Sequence, residues 1–252
     1  MSQVSTIEWT NSTWNPVTGC SKISSGCKNC YASTFSERFR GTPGHYFEKG
    51  FDLTLRPDKL HDPINWKKPR IIFVNSMSDL FHKEIPESFI HQVFDTMVVA
   101  NHHTYQLLTK RPNRMAEFVK KRFGKKLPKN IWLGVSVEDQ RNKARIEILR
   151  TIHSPIRFLS IEPILGDLML KAAELKGISW VIVGGESGHG ARPMKEVWAM
   201  KIKNLCHELE IPFFFKQWGA FNNEGIRMSK SKSGRILDGH IYSEMPNIGP
   251  PH

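Results

Sequence analysis

Downstream of residue 65, short apolar segments alternate with longer stretches of helical periodicity. Within 86–100, apolar residues recur every three or four positions, as in Phe89, Val93 and Met97, which predicts an amphipathic helix. The short segments are rich in β-branched and aromatic residues and predict buried strands. The predicted strands are Thr13–Thr18, Arg70–Asn75, Thr104–Thr109, Ile131–Val137, Ile156–Ile161, Ser179–Val183 and Pro212–Lys216. The predicted helices are 32–39, 86–100, 112–123, 139–151, 194–210 and, weakly, 167–175.

Repeated strand–helix units with near-continuously apolar strands predict a parallel sheet that is buried on both faces. Such a sheet either stays open and doubly wound or curls into a barrel. No GxGxxG segment follows the first strand, which argues against the dinucleotide-binding form. We therefore predict an α/β fold, a partial or complete parallel (β/α) barrel, as a single domain over 1–220. Residues 221–252, rich in Gly, Ser, Lys and Pro, are predicted to form a basic, loosely packed extension.

Polar residues collect where the predicted strands end. In a parallel α/β fold these ends share one edge of the sheet, which is where ligands bind. Any one of these residues could instead cap a helix or lie in a solvated loop, but their recurrence at the same end predicts a site. They are Asn75, Ser76, Asp79, Lys110, Arg111, Ser136, Glu138, Glu162, Gly184, Gly185, Glu186, Ser187, Lys216, Gln217 and Trp218.

Three of the four cysteines fall within eleven residues, with the spacing Cys20-x6-Cys27-x2-Cys30. No export signal is recognisable at the N-terminus, so we expect a cytoplasmic, reducing location, where clustered cysteines indicate metal binding. Structural zinc takes four ligands, whereas three cysteines on a [4Fe–4S] cluster leave one iron open for chemistry. We favour the [4Fe–4S] cluster and keep zinc and an unmetallated thiol set as alternatives. Cys206, alone in an apolar-periodic helix, is interpreted as a buried small residue.

The segment WNPVTGC…GCKNCYA resembles the radical S-adenosylmethionine (SAM) superfamily. More closely, it is similar to a phage and bacterial family that is named for its three-cysteine motif and is distantly similar to spore photoproduct lyase. The stretches FVNSMSDLFH, LLTKRP, LGVSVE, LSIEPILG and VIVGGESG carry the same likeness, which covers residues 8 to about 220. The first cysteine gap is three residues longer than the superfamily's usual C-x3-C-x2-C.

This resemblance implies a reaction and a set of cofactor-binding residues. SAM would chelate the open iron through its amino and carboxylate groups, one electron would break its C–S bond, and the resulting 5′-deoxyadenosyl radical would take a hydrogen atom from the substrate. By their chemistry, Glu138 and Glu162 are candidates to accept hydrogen bonds from SAM, and Lys110 and Lys216 to hold its carboxylate or a substrate phosphate. The full set of predicted cofactor-binding residues is Tyr31, Ser76, Lys110, Glu138, Glu162, Gly184, Gly185, Glu186 and Lys216.

The chain carries a formal net charge of +12, a surplus that points to a polyanionic partner, most often nucleic acid. Basic residues concentrate between Lys110 and Lys129, where phosphates could bind without sequence selectivity. A solvated helix face would explain the same run without function. The predicted nucleic-acid-binding residues are Arg111, Arg114, Lys120, Lys121, Arg122, Lys125 and Lys126.

The predicted function is a radical SAM-type iron–sulfur enzyme that modifies or repairs a nucleic acid or nucleotide. The alternative is a metal-stabilised nucleic-acid-binding protein, with a structural cluster or zinc and no SAM chemistry. An enzyme of the first kind needs an external electron donor, and a companion protein is a further expected partner. No apolar run is long enough to span a membrane, so no membrane association is predicted.

Overall fold

The computed structural model describes residues 5–247. Its strands follow the predicted apolar segments, except that Thr13–Thr18 is interrupted at Pro16 and forms two short strands. A further short strand, near residue 54, pairs antiparallel with the second of these. The strands are β1 (Ser12–Trp14), β2 (Val17–Thr18), β3 (Thr54–Leu55), β4 (Ile71–Val74), β5 (Thr104–Thr109), β6 (Ile131–Ser136), β7 (Arg157–Ile161), β8 (Trp180–Gly184) and β9 (Phe213–Gln217).

Seven strands form one parallel sheet in the order β1-β4-β5-β6-β7-β8-β9. Apart from the early insertion that holds β2 and β3, each strand pairs with the next one along the chain, as expected for repeated βα units. Within residues 5–247, β1 and β9 do not pair with each other, so the curled sheet stays open as a half-barrel. The predicted partial parallel (β/α) barrel is confirmed.

Helices cover the convex face of the sheet. The predicted helix 139–151 is divided into a 3-10 turn at Gln140–Asn142 and a shorter α-helix. The side chain of Asp139 caps the turn by accepting from the backbone N–H of Arg141. The helices are α1 (Tyr31–Glu37), α2 (Asp62–Asn65), α3 (Glu87–Val99), α4 (Pro112–Phe123), α5 (Ala144–Arg150), α6 (Ala172–Leu175), α7 (Glu196–Glu208) and α8 (Lys230–Ser233). None of the helices in the described range is long and apolar enough to cross a membrane.

The two faces of the sheet are packed differently. Alternate residues such as Val74 and Leu107 face the helices and join the main apolar core. The concave face carries a second, aromatic cluster that includes Trp132, Phe158 and Trp180. Gly134 lies within this layer because a Cβ there would stand 2.5 Å from the Phe158 ring. The aromatic layer closes the lower part of the half-barrel and leaves its upper, carboxyl-terminal part for polar residues.

The residues assigned to a C-terminal extension lie against the last two strands. The indole N–H of Trp180 donates to the carbonyl of Glu244 at 2.8 Å, and that of Trp218 to the carbonyl of Ile236 at 2.6 Å. Leu237 is fully buried in the main core. Residues 248–252, which belong to the same prediction, lie outside the described residues, as do residues 1–4.

Candidate functional site

A cavity of about 400 Å³ opens at the carboxyl edge of the half-barrel. Its walls come from the loop between β2 and α1, residues 19–30, here called the cysteine loop, and from the ends of six strands, so residues far apart in sequence face one space. The lining includes Trp9, Cys20, Lys22, Cys27, Cys30, Tyr31, Phe73, Asn75, Ser76, Asp79, Lys110, Arg111, Ser136, Ser160, Glu162, Ser187, Lys216 and Gln217. The topology therefore gathers the cysteines and most of the predicted strand-end residues in one place.

Arg111 fixes the first part of the cysteine loop. Its guanidinium lies 3.4 Å from Cys20 Sγ and donates to the Ser21 carbonyl at 3.0 Å. The same guanidinium forms a 2.9 Å ion pair with Asp79, whose second oxygen accepts from the Thr109 hydroxyl at 2.7 Å. Burial and the charge of Asp79 raise the pKa of Cys20, and Arg111 opposes this rise. Arg111 is thus placed to stabilise the thiolate form of Cys20.

Glu138 supports the middle of the loop from below. Its carboxylate is fully buried and accepts from the Ser24 hydroxyl at 2.7 Å and from Arg145 at 2.9 Å, while Lys110 Nζ lies 3.3 Å away. A Cβ on Gly26 would stand 2.4 Å from Glu138 Cγ. Glycine at this position therefore lets the loop rest directly on the buried carboxylate.

Glu186 and Arg192 fix the last part of the loop. Arg192 binds both carboxylate oxygens of Glu186, at 2.6 and 2.8 Å, and donates to the Ser25 carbonyl at 2.9 Å. The Asn29 amide also donates to Glu186, at 3.1 Å. Burial opposes ionisation of Glu186, but these hydrogen bonds hold its pKa below the usual value. The loop after β8 is therefore bound to the cysteine loop.

The surroundings of the loop move the pKa values of two of its thiols in opposite directions, upward for Cys20 and downward for Cys27. Burial opposes ionisation of Cys27, yet hydrogen bonding at Ile23 and the charge of Lys110 hold its pKa below the usual value. In the described part of the chain, no three His, Cys, Asp or Glu side chains converge on a single-ion site. A [4Fe–4S] cluster has a different requirement, because its cysteines bind different irons and stand farther apart than ligands of one ion. Cys20, Cys27 and Cys30 all line the one cavity.

Cys206 has a different environment. It lies in α7, is fully buried in the main core, and burial raises the pKa of its thiol to about 12. Its surroundings are those of a small apolar residue, as the sequence indicated.

The nine residues predicted to bind the cofactor divide into two groups. Tyr31, Ser76, Lys110, Glu162 and Lys216 line the cavity. Glu138, Gly184, Gly185 and Glu186 are not among the lining residues and instead shape its walls. A Cβ on Gly184 would stand 2.7 Å from Glu162 Oε1, and one on Gly185 would stand 1.9 Å from the Trp218 carbonyl oxygen. These glycines allow close approach of the loops after β7 and β9.

The seven predicted nucleic-acid-binding residues do not form one surface. Arg111 belongs to the cavity, Arg114 donates to the backbone carbonyls of His82 and Ile85, and Arg122 pairs with Asp95 at 2.5 Å. The side chains of Arg111 and Arg122 are only 13% and 15% exposed. The exposed basic residues, here called the basic segment, are Lys120, Lys121, Lys125 and Lys126.

The basic segment lies at the edge of the sheet opposite the cavity. α4 begins beside the cavity at Pro112 and runs away from it for twelve residues, about 18 Å at 1.5 Å per residue. After the segment, the amide of Asn130 donates to the carbonyl of His103 at 3.1 Å, just before β5 begins. Lys120 and Lys121 in the last turn of α4, and Lys125 and Lys126 in the loop that leads to β6, therefore lie toward the amino edge.

Several residues that hold the site were not predicted from the sequence. Arg145 and Arg192 reach the cysteine loop or its support from positions outside the strand ends. His82 lies 2.7 Å from the Ser21 hydroxyl, and burial together with the charge of Arg111 lowers its pKa. Nothing in their local sequence pattern distinguishes these residues from ordinary surface charges.

Comparisons with known proteins give a family and solved structures of similar fold, and the description of that family names no activity. Spore photoproduct lyase complexed with dinucleoside spore photoproduct aligns with a TM-score of 0.46 and 10% identity, over 78% of this chain and 61% of that one. A mutant of spore photoproduct lyase with bound AdoMet and dinucleoside spore photoproduct gives the same four values, so the chain spans about three fifths of these structures. No curated protein matches the chain. A family model described as "Protein of unknown function (DUF5131)" matches residues 4–246, and the chain belongs to that family.

Proposed function

We propose that the chain is a radical SAM-type iron–sulfur enzyme that modifies or repairs a nucleic acid or nucleotide. The observation that carries this proposal is the position of Cys20, Cys27 and Cys30 around one cavity at the carboxyl edge of a parallel half-barrel. That edge is where (β/α) folds bind ligands and perform chemistry. The rest of the loop is held by buried charged residues, which preorganise the three thiols.

The chain's own residues would bind and orient the cofactors. Cys20, Cys27 and Cys30 would bind a [4Fe–4S] cluster, which when bound supplies the electron for reductive cleavage of SAM. Arg111 and Lys110 favour the thiolate forms of the ligands. Elsewhere in the cavity lining, Lys216 Nζ lies 3.2 Å from Glu162 Oε1. This pair offers one cation and one carboxylate, which complement the carboxylate and ammonium of the methionine part of SAM.

The nucleic-acid part of the proposal rests on the net charge of +12 and on the exposed lysines of the basic segment. Because the segment lies at the far edge from the cysteines, its lysines would add affinity for a long polyanion without orienting the group that reacts. A nucleotide too short to reach both edges of the sheet would gain no affinity from the lysines of the basic segment.

The direct test is an anaerobic incubation of iron- and sulfide-reconstituted protein with SAM and dithionite. We expect iron in the protein and formation of 5′-deoxyadenosine. Cys27→Ala should lose both, whereas Cys206→Ala, which removes a core thiol, should keep both. Stoichiometric zinc with no iron, and no 5′-deoxyadenosine from the wild-type protein, would refute the proposal.

A further inference from the structure

A second pocket, of about 430 Å³, lies beside the cavity and is here called the cationic pocket. Lys110 and Arg111 line both spaces, which therefore share a wall. Like the cavity, the cationic pocket is formed where strands end, since its lining comes from the loop after β4 and from the segments that follow β5 and β6. The described residues that line it include six cations and no carboxylate. The cations are Lys83, Lys110, Arg111, Arg114, Arg141 and Arg145.

The carboxylates that pair with these cations do not balance their charge. Among residues 5–247, three carboxylates serve the six cations, which leaves an excess of three positive charges. The ion pairs are Lys110–Glu138, Arg145–Glu138, Arg111–Asp79 and Arg141–Asp139. In the same range Lys83 forms no ion pair, and Arg114 donates to two backbone carbonyls instead of a carboxylate. An excess of this kind attracts anions.

The cysteines do not account for the whole excess. Thiolates at Cys20 and Cys27 would offset positive charge on the shared wall, because both cysteines line the cavity. Neither of them lines the cationic pocket, and Lys83 and Arg114 line the cationic pocket but not the cavity. Positive charge at the cationic pocket would therefore remain available to a second anion, separate from the cysteine loop.

The lining indicates the chemical class of this anion. Four of the six cations are arginines, whose planar guanidinium groups can donate two parallel hydrogen bonds to phosphate oxygens. A phosphate group has more acceptor oxygens than a carboxylate and can engage more of these donors at once. Phe81 is the one aromatic residue among the described lining residues, and it is 1% exposed, so a base would have no ring to stack on. The pocket therefore suits a phosphate group better than a whole nucleotide.

We propose that the cationic pocket binds a phosphate group of the substrate, whose adjoining nucleoside extends into the cavity. This inference rests on the proposed function for the nucleotide class of the substrate and for the cavity as the place of reaction. Lys110 and Arg111 separate the two spaces, so the bound phosphate would lie next to the cavity. Unlike the distant basic segment, such a contact would help to orient the group that reacts.

Calorimetric titration of anaerobic, reconstituted protein, without SAM or reductant, tests this inference. The probes are the 5′-monophosphates of adenosine, cytidine, guanosine and uridine, and the four parent nucleosides are the matched probes that lack the phosphate. We expect at least one nucleotide to bind about tenfold more tightly than its nucleoside. If every nucleotide binds no more tightly than its nucleoside, the inference is wrong.

Charge-removing variants show whether the cationic pocket is responsible. Lys83→Gln combined with Arg141→Gln, at two exposed side chains of the pocket, should weaken nucleotide binding by about tenfold and leave nucleoside binding unchanged. Lys67→Gln combined with Lys68→Gln removes the same charge at exposed positions before β4 that line neither space, and should leave both unchanged. Equal losses in the two double variants would indicate attraction by net charge alone and would overturn the inference.

A single variant separates recognition from a folding defect. Lys83→Gln keeps the contact between Arg141 and Asp139, so its Tm and iron content should equal those of the wild type. Its nucleotide binding should still be weaker, and unchanged binding would contradict the inference. Because the titration needs neither SAM nor reductant, phosphate recognition can fail while iron binding and SAM cleavage succeed, and the reverse.

A last arm identifies the source of the phosphate. The dinucleoside monophosphate UpU carries one internal phosphodiester and no terminal phosphate. If Lys83→Gln combined with Arg141→Gln weakens binding of UpU, the pocket accepts the backbone of a nucleic acid. If the same variant weakens binding of the 5′-monophosphates alone, the pocket accepts a free nucleotide or a chain end. Both results support a phosphate site, whereas binding of both kinds of probe that ignores Lys83 and Arg141 contradicts it.

Discussion

The two edges of the sheet both concentrate positive charge, but they use it differently. At the carboxyl edge, Lys110 and Arg111 are largely buried and contact carboxylates and the Cys20 sulfur. At the amino edge, Lys120, Lys125 and Lys126 are exposed to solvent. One continuous basic run in the sequence therefore serves two purposes. Its first residues shape a site, and its last residues form a solvated surface.

The difference shows that distance from a strand end, and not charge alone, decides what a basic residue can do here. A buried ion pair cannot lose one partner without leaving the other uncompensated, whereas an exposed lysine can be replaced at little cost. Substitutions at the two edges should therefore have very different effects on the cavity.

The largest effect is expected at the cysteines. Replacing Cys20, Cys27 or Cys30 by alanine should abolish iron binding and visible absorption after anaerobic reconstitution, because each would bind a different iron. Iron content per chain is the measurement. Cys206→Ala is the control and should retain iron, and its loss of iron would contradict the assignment of the three-cysteine site.

The next largest effect is expected at Glu138. Glu138→Gln leaves Arg145 and Lys110 without their buried counter-charge, so it should lower the free energy of unfolding by about 3 kcal/mol. Urea denaturation measures the change. Glu117→Gln, at an exposed position on α4, should shift stability by less than about 0.5 kcal/mol. Equal effects of the two changes would show that Glu138 does not support the loop.

A smaller effect is expected from Gly26→Ala. The added methyl group would collide with the Glu138 side chain, so the loop must shift, with an expected loss of about 1 to 3 kcal/mol in stability. Iron retained after exposure to a chelator should fall in parallel. Gly166→Ala is the matched control, because a Cβ there meets nothing within 4 Å. Similar iron retention in both variants would contradict the close contact.

The smallest effect on the cavity is expected from changes in the basic segment. Replacing Lys120, Lys121, Lys125 and Lys126 by glutamate should leave iron content unchanged, since these lysines lie at the other edge. Binding to DNA and RNA should weaken for all sequences alike, with a shallower salt dependence, by about 0.9 in log–log slope per lost phosphate contact. Anisotropy titrations at two salt concentrations measure this. Loss of iron in this variant would refute the separation of the edges.

The sequence predicted the sheet well because its strands are almost continuously apolar and its helices follow a regular period. It also predicted which strand ends meet, since parallel topology brings them to one edge. It did not separate residues that face the cavity from those that support it. Glu138 resembles Glu162 in sequence, yet Glu138 is fully buried under the loop while Glu162 lines the cavity. That difference depends on Arg145 and Gly26, whose contacts form only in the folded chain.

The central claim is that the three cysteines hold a cluster with one open iron at this cavity. The most direct test is the electron paramagnetic resonance spectrum of the reduced, reconstituted protein, recorded with and without SAM. We expect SAM to change the spectrum, because it would enter the ligand set of the open iron. An iron-containing protein whose spectrum stays the same at saturating SAM would contradict the claim.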